Sequence, residues 1–221
     1  MIISFLNQKG GTGKSSLARA VAVEFARNKW GVHIADMDTV QRTAFTWAET
    51  RSKTEIEPSI EVALYNDPKA ALKAANTSDL LIVDGKAFAD THALEVAKVS
   101  DLIVIPVGVS IDDLKPTLEL ATELINKGIK RESILFVVCK VMDNGEKEAM
   151  KTRTSIKNWS FNVVSGWIPF KAAYSQAMDT GRGLTETKYK SLNTQVDKII
   201  EEIFNKAIEE NKINKEVLNH G

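Results

Sequence analysis

Gln8-Lys9-Gly10-Gly11-Thr12-Gly13-Lys14-Ser15-Ser16 is the stretch from which the rest of the chain can be read. It follows an apolar run at residues 2–6 and opens a segment, 15–28, whose apolar residues recur at helical spacing. A glycine-rich turn between strand and helix lets backbone N–H groups curl around phosphate oxygens, and the helix N-terminus adds favourable partial charge. In that setting Lys14 is expected to reach the β- and γ-phosphates of a nucleotide, and Ser15 to offer its hydroxyl to Mg2+. Gly10, Gly11, Thr12, Gly13 and Ser16 complete the expected cradle. The Gly-Lys-Ser ending, with both flanking elements present, favours this reading over a plain glycine-rich turn.

Outward from the loop, short apolar runs alternate with helical-period segments. Strands are expected at 2–6, 32–35, 80–83, 102–107, 134–138 and 163–168, and helices at 15–28, 68–76, 89–98, 114–126 and 146–157. Apolar strands separated by helices predict an α/β fold with a mostly parallel twisted sheet covered on both faces. With no repeat, low-complexity tract or linker, residues 1–221 are expected to form a single P-loop NTPase domain. The polar tail after Glu210, about ten residues, is expected to fray.

Two further segments carry carboxylates. Asp36-Met37-Asp38 follows the second expected strand, at the carboxyl end where α/β sheets place ligands. Carboxylates at i and i+2 there can orient water around Mg2+ or toward a phosphoryl group; a pair of solvated loop aspartates is the other reading. Leu80-Leu81-Ile82-Val83-Asp84 has the form of a Walker B strand, four apolar residues delivering Asp84 to a metal's surroundings.

Composition narrows the class. Lys+Arg and Asp+Glu both number 29, so the chain is formally neutral. The charge is uneven: residues 147–190 hold 8 basic against 3 acidic side chains, a local +5. The lone Cys139, in an apolar run, excludes an internal disulfide and points to a reducing, cytoplasmic setting. No apolar stretch approaches the roughly 20 residues that span a bilayer.

The run Lys9-Gly10-Gly11-Thr12-Gly13-Lys14-Ser15 resembles the deviant Walker A motif of the ParA/MinD ATPases, with Gln8 where the common pattern has its first glycine. Ser100 to Val107, and Ile168-Pro169-Phe170-Lys171 with Tyr174, Ala177 and Gly181, are similar to later segments of that family. Lys171 stands where arginine is common. Thr39-Val40 replace the proline of the family's D-x-D-P-Q, and Gln41 arrives one residue late. The resemblance is strongest to small plasmid-partition ParA proteins.

That resemblance implies roles for individual residues. Lys9 would act across an ATP-dependent homodimer on the partner's nucleotide, Asp38 would position the attacking water, and Asp36 would join the Mg2+ water shell. Lys140 and Pro169 would contact the base. The family also implies ATP hydrolysis stimulated by a ParB-like partner and sequence-independent DNA binding by the ATP state. The basic stretch nominates Lys151, Arg153, Lys157, Arg182, Lys188 and Lys190 for DNA. Two other functions stay open here, a MinD-like membrane-associated regulator and a metabolic P-loop enzyme acting on a small substrate. Val196, Ile199, Ile200, Ile203, Phe204, Ala207 and Ile208 form one apolar helix face. Glu201, Glu202, Glu209 and Glu210 alongside it favour packing on the sheet over anionic lipid.

Overall fold

Strict alternation along the strands sorts the core between two faces of a parallel sheet. The computed structural model describes residues 1–86 and 91–220. Strands β1 (Ile2–Phe5), β2 (Val32–Asp36), β3 (Glu61–Leu64), β4 (Leu80–Asp84), β5 (Leu102–Val107), β6 (Ile134–Val141) and β7 (Asn162–Pro169) form one sheet. Their order is β3-β2-β4-β1-β5-β6-β7, and every neighbouring pair is parallel. The helices are α1 (Lys14–Arg27), α2 (Thr43–Lys53), α3 (Pro68–Lys73), α4 (Thr91–Val99), α5 (Ile111–Asn126), α6 (Glu146–Asn158), α7 (Ala172–Asp179) and α8 (Lys190–His220).

Ile3, Phe5, Leu80, Ile82, Leu102, Val104, Leu135 and Val137 point to one face, where they meet α1, α2 and α8. The intervening Ile103, Ile105, Ile134, Phe136 and Val138 point to the other and meet α5 and α6. Leu81 and Val83 of β4 turn to a smaller cluster with Ala71 of α3 and Val96 of α4. This is the period of two that a pleated strand imposes, and it yields the doubly covered sheet the sequence predicts.

Three elements go beyond the sequence reading. β3 is a four-residue edge strand, exposed at Glu61 and only half-buried after it, so no apolar run announces it. α2 has no side-chain cap from its own N-cap residue, Arg42, and α7 is only eight residues long. The helix expected over 89–98 begins, among the described residues, at Thr91; residues 89 and 90 lie outside them.

The last helix does not end at Glu210. α8 runs to His220, through the tail expected to fray. Its extension is tied down: Asn214 donates to Asp101 Oδ1 at 3.0 Å and accepts from Lys130 Nζ at 3.1 Å. Glu210 is buried and paired with Lys206 at 2.7 Å. Val196, Ile199, Ile200, Ile203 and Ala207 are buried on the sheet, and Phe204 stacks on Phe25 at 4.5 Å. The apolar face of α8 therefore serves the core. Among the described residues no helix is long and apolar enough to cross a membrane.

Candidate active site

The carboxyl ends of β1, β2 and β4 converge on one cleft, because the three strands are neighbours and run in the same direction. The cleft is lined by Gly10, Gly11, Gly13, Lys14, Ser15, Ser16, Arg19, Asp38, Gln41, Thr43, Asp84, Gly85 and Lys140. The chain turns from β1 into α1 through Gly13, whose φ of 112° belongs to the left-handed region that glycine adopts without strain. At Gly85 a Cβ would sit 2.8 Å from the carbonyl oxygen of Phe5, so only glycine lets the segment after β4 pass so close to β1.

Lys14 is buried at the base of the loop, and its Nζ donates to the carbonyl of Lys9 at 3.1 Å. Burial lowers its pKa, opposed by the charges of Asp84 and Asp38. Lys9 itself turns outward: its side chain is half exposed, and its ammonium pairs with Asp113 in the first turn of α5. Thr12 is buried in the loop.

The two aspartates after β2 do different work. Both oxygens of Asp36 are engaged by backbone amides: Oδ1 accepts from Asp38 N at 3.0 Å, and Oδ2 from Ala44 N and Phe45 N at 3.0 and 3.1 Å. Asp36 thus caps α2 from a neighbouring element, supplying what Arg42 lacks. Burial raises its pKa against those three hydrogen bonds. Asp38 lines the cleft, and its Oδ1 accepts from Gln41 N at 3.0 Å, closing a tight turn. Gln41 reaches the cleft although it comes one residue later than in the family pattern.

Asp84 lies at the bottom, fully buried, its pKa pushed up to about 7 chiefly by burial and held back by the Ser15 hydroxyl. Among the described residues its Oδ1 has no hydrogen-bond partner, an arrangement costly to a carboxylate unless something else meets that oxygen. A hydroxyl, a buried carboxylate with an unmet oxygen and an adjoining phosphate cradle form a donor set that fits Mg2+. That ion keeps several waters and takes one or two carboxylates with phosphate oxygens. Among the described residues no group of three or more His, Cys, Asp or Glu is placed so that it could hold a metal ion by itself.

Lys140 and Pro169 line a second cleft beside the loop, with Gly13, Ser16, Cys139, Ile168, Phe170, Lys171 and Tyr174. Lys140 borders both clefts; held at φ 59°, it brings its Nζ to 3.8 Å from where a Cβ on Gly11 would lie. The six basic residues nominated for DNA are not brought together. Lys151, Arg153 and Lys157 ride on α6, which covers one face, and Arg153 Nε donates to Val164 O at 2.9 Å. Arg182, Lys188 and Lys190 are exposed on and after the segment that anchors Leu184 to the opposite face.

Sequence reasoning missed Arg19. It is buried in the cleft wall, and an arginine inside the apolar run Leu17 to Val23 was the available signal.

A parallel sheet with a phosphate loop after its central strand, and acidic side chains at the ends of two neighbouring strands, defines a P-loop ATPase of the ParA/MinD class. Residues 1–134, more than half of the chain, match the family described as ATPase MipZ, and the chain belongs to that family. No curated protein sequence matches it. Among solved structures it is similar to the cell division ATPase MinD of Pyrococcus furiosus, at TM-score 0.72 and 16% identity, covering 92% of this chain and 98% of that one. A putative plasmid partition protein of Borrelia burgdorferi bound to AMPPNP follows at 0.70 and 16%, covering 93% and 98%. An ATP complex of Cyanothece McdA gives 0.68 and 15%, covering 92% and 96%. Such identities speak for the fold alone.

Proposed function

We propose that this ATPase is a positioning switch: Mg·ATP joins two copies face to face, the dimer binds DNA without sequence preference, and a ParB-like partner triggers hydrolysis and release. The cargo would be a plasmid or another large cytoplasmic body, and the ATP state would sit on the nucleoid. The observation that carries the reading is Lys9. Its side chain is half exposed and paired with Asp113 of α5, and it is not among the residues that line the cleft of its own loop. Val40, Ile111, Met142 and Phe170 add exposed apolar side chains on the segments after β2, β5, β6 and β7, all at the same edge. A second copy would cover them.

In this reading Lys14 and the loop amides hold the β- and γ-phosphates, and the second cleft with Lys140 and Pro169 takes the base. Asp38 orients the attacking water in line. Lys9 from the partner copy stabilises charge developing on the leaving group, the positioning and electrostatic work that phosphoryl transfer asks of a protein. Mg2+, when bound, would be held by Ser15 with Asp84 and, through water, Asp36, and would neutralise phosphate charge. The buried apolar face of α8 supports this reading over attachment to membranes.

The test is Asp38→Ala, which leaves the phosphate cradle intact. It should hold a stable dimer with ATP, seen as a doubled mass by light scattering, with turnover lowered about 100-fold or more. Only monomers with ATP, or turnover equal to wild type, would overturn the assignment.

A further inference from the structure

Arg19 sits one helical turn after Ser15, on the same face of α1, because residues four apart stack along a helix. It is only 6% exposed, an environment that disfavours a guanidinium unless carboxylates or other acceptors meet it. Its Nε donates to the carbonyl of Ser15 at 3.0 Å, and its plane lies over the Trp47 ring at 5.8 Å. Among the described residues its terminal nitrogens donate no hydrogen bond to a protein acceptor, and the side chain lines the phosphate cleft. The charges acting on it are those of Asp84, Asp36 and Asp179.

Two of those carboxylates, Asp36 and Asp84, are almost wholly buried and end adjacent strands at the same register. Left to themselves they repel each other in a poorly polarisable setting. Arg19 is a fixed positive charge that lines the same cleft as Asp84.

We propose that Arg19 tunes the metal site: its fixed charge offsets the mutual repulsion of Asp36 and Asp84 before the metal arrives and opposes the divalent cation, so it sets the Mg2+ concentration at which ATP loads. The inference rests on the nucleotide-site reading above. A tuning cation of this kind would make loading depend on free Mg2+ within a chosen range, where the bare carboxylate pair would saturate at a lower concentration.

The experiment follows binding of a fluorescent ATP derivative over a series of free Mg2+ concentrations for the wild type, Arg19→Met and Arg19→Lys. The half-saturating Mg2+ concentration should fall about tenfold in Arg19→Met, because a like charge near the ion has gone. It should stay within about twofold of wild type in Arg19→Lys, which carries the same formal charge. Arg19→Gln carries the same expectation as Arg19→Met and keeps the test open if that variant does not fold. Equal midpoints in the charged and uncharged forms would overturn the role of Arg19 and leave the nucleotide site standing. Nucleotide binding by the wild type that ignores Mg2+ altogether would overturn the site reading itself.

Discussion

Lys9 and Asp113 form an ion pair between the phosphate loop and the first turn of α5, and the hydroxyl of Ser110 donates to the other oxygen of the same carboxylate at 2.8 Å. Burial would raise the pKa of Asp113, but the hydrogen bonds from Lys9 and Ser110 more than reverse that and hold it below the usual carboxylate range. In a single copy, the lysine proposed to act on the partner's nucleotide is therefore held by its own chain.

Substitution at either end of this pair separates the two roles. Lys9→Ala should leave nucleotide affinity within about threefold of wild type and lower turnover about 100-fold, the scale for losing one preorganised donor. Asp113→Ala frees the lysine, and the ATP-dependent dimer should then form at a protein concentration several-fold lower. Mass photometry across a dilution series measures the second effect, and steady-state phosphate release the first.

Lys14→Ala should weaken ATP binding by about 100-fold, since charge-assisted hydrogen bonds to phosphate are each worth about 1.5–3 kcal/mol. Circular dichroism should show the fold retained, because among the described residues the Lys14 ammonium donates one hydrogen bond, to the carbonyl of Lys9. Calorimetry that returned an unchanged affinity would remove Lys14 from the site.

Stability rests on a buried fork elsewhere. Arg51 of α2, 1% exposed, grips Glu186 through both terminal nitrogens at 2.7 and 3.1 Å, and also donates to Gly181 O and Pro58 O. Removing one partner of such a pair costs about 3 kcal/mol, so Arg51→Met should lower the melting temperature by about 10 °C. Burial would raise the pKa of Glu186, yet the hydrogen bonds from Arg51 and Gly183 bring it below its ordinary 4.5. A depressed folded-state value means the stabilisation is complete above pH 4.5 and is lost as the pH falls below it. Thermal melts over a series of falling pH from 7 should therefore show the difference between wild type and Glu186→Gln shrinking once the pH drops below 4.5.

The separation of the basic residues turns the DNA proposal into a choice between two surfaces. Arg182→Ala and Lys188→Ala alter the face carrying α8, and Lys151→Ala and Lys157→Ala alter α6. A residue that contacts phosphate should, when removed, weaken binding to all duplexes alike and reduce the slope of log affinity against log salt by about 0.9 per contact. We expect that loss for Arg182 and Lys188, which line a cleft beside α7, and not for the α6 pair. Fluorescence anisotropy with a non-hydrolysable ATP analogue and with ADP checks it. Equal binding in the two nucleotide states at low salt would exclude nucleotide-gated DNA binding.

What the sequence disclosed, and what it withheld, follows from the range of the interactions. The loop from Gln8 to Ser16 is legible because its geometry is local: glycines, a helix start and a lysine within nine residues. The buried strands are legible because both their faces are apolar. β3 escapes because an edge strand needs neither an apolar run nor length, and its pairing with β2 lies some 28 residues away. α2 escapes because its cap, Asp36, is eight residues upstream in a strand. Arg19 is not singled out by its immediate neighbours; its setting arises from Trp47 and the strand-end carboxylates, which come near only once the sheet has formed.

The strand order also bears on synthesis. β1 lies between β4 and β5, pairing residues 2–5 with 81–84 and residues 3–5 with 102–104. β2, the next strand to emerge, is not its neighbour, because β4 intervenes. Until residues 81–84 have left the ribosome, the strand that carries the phosphate loop therefore has no native edge to join. Its native strand pairings are all distant ones, the kind that close slowly, so until β4 arrives the nascent chain has only α1 to keep Ile3 and Phe5 from other partners.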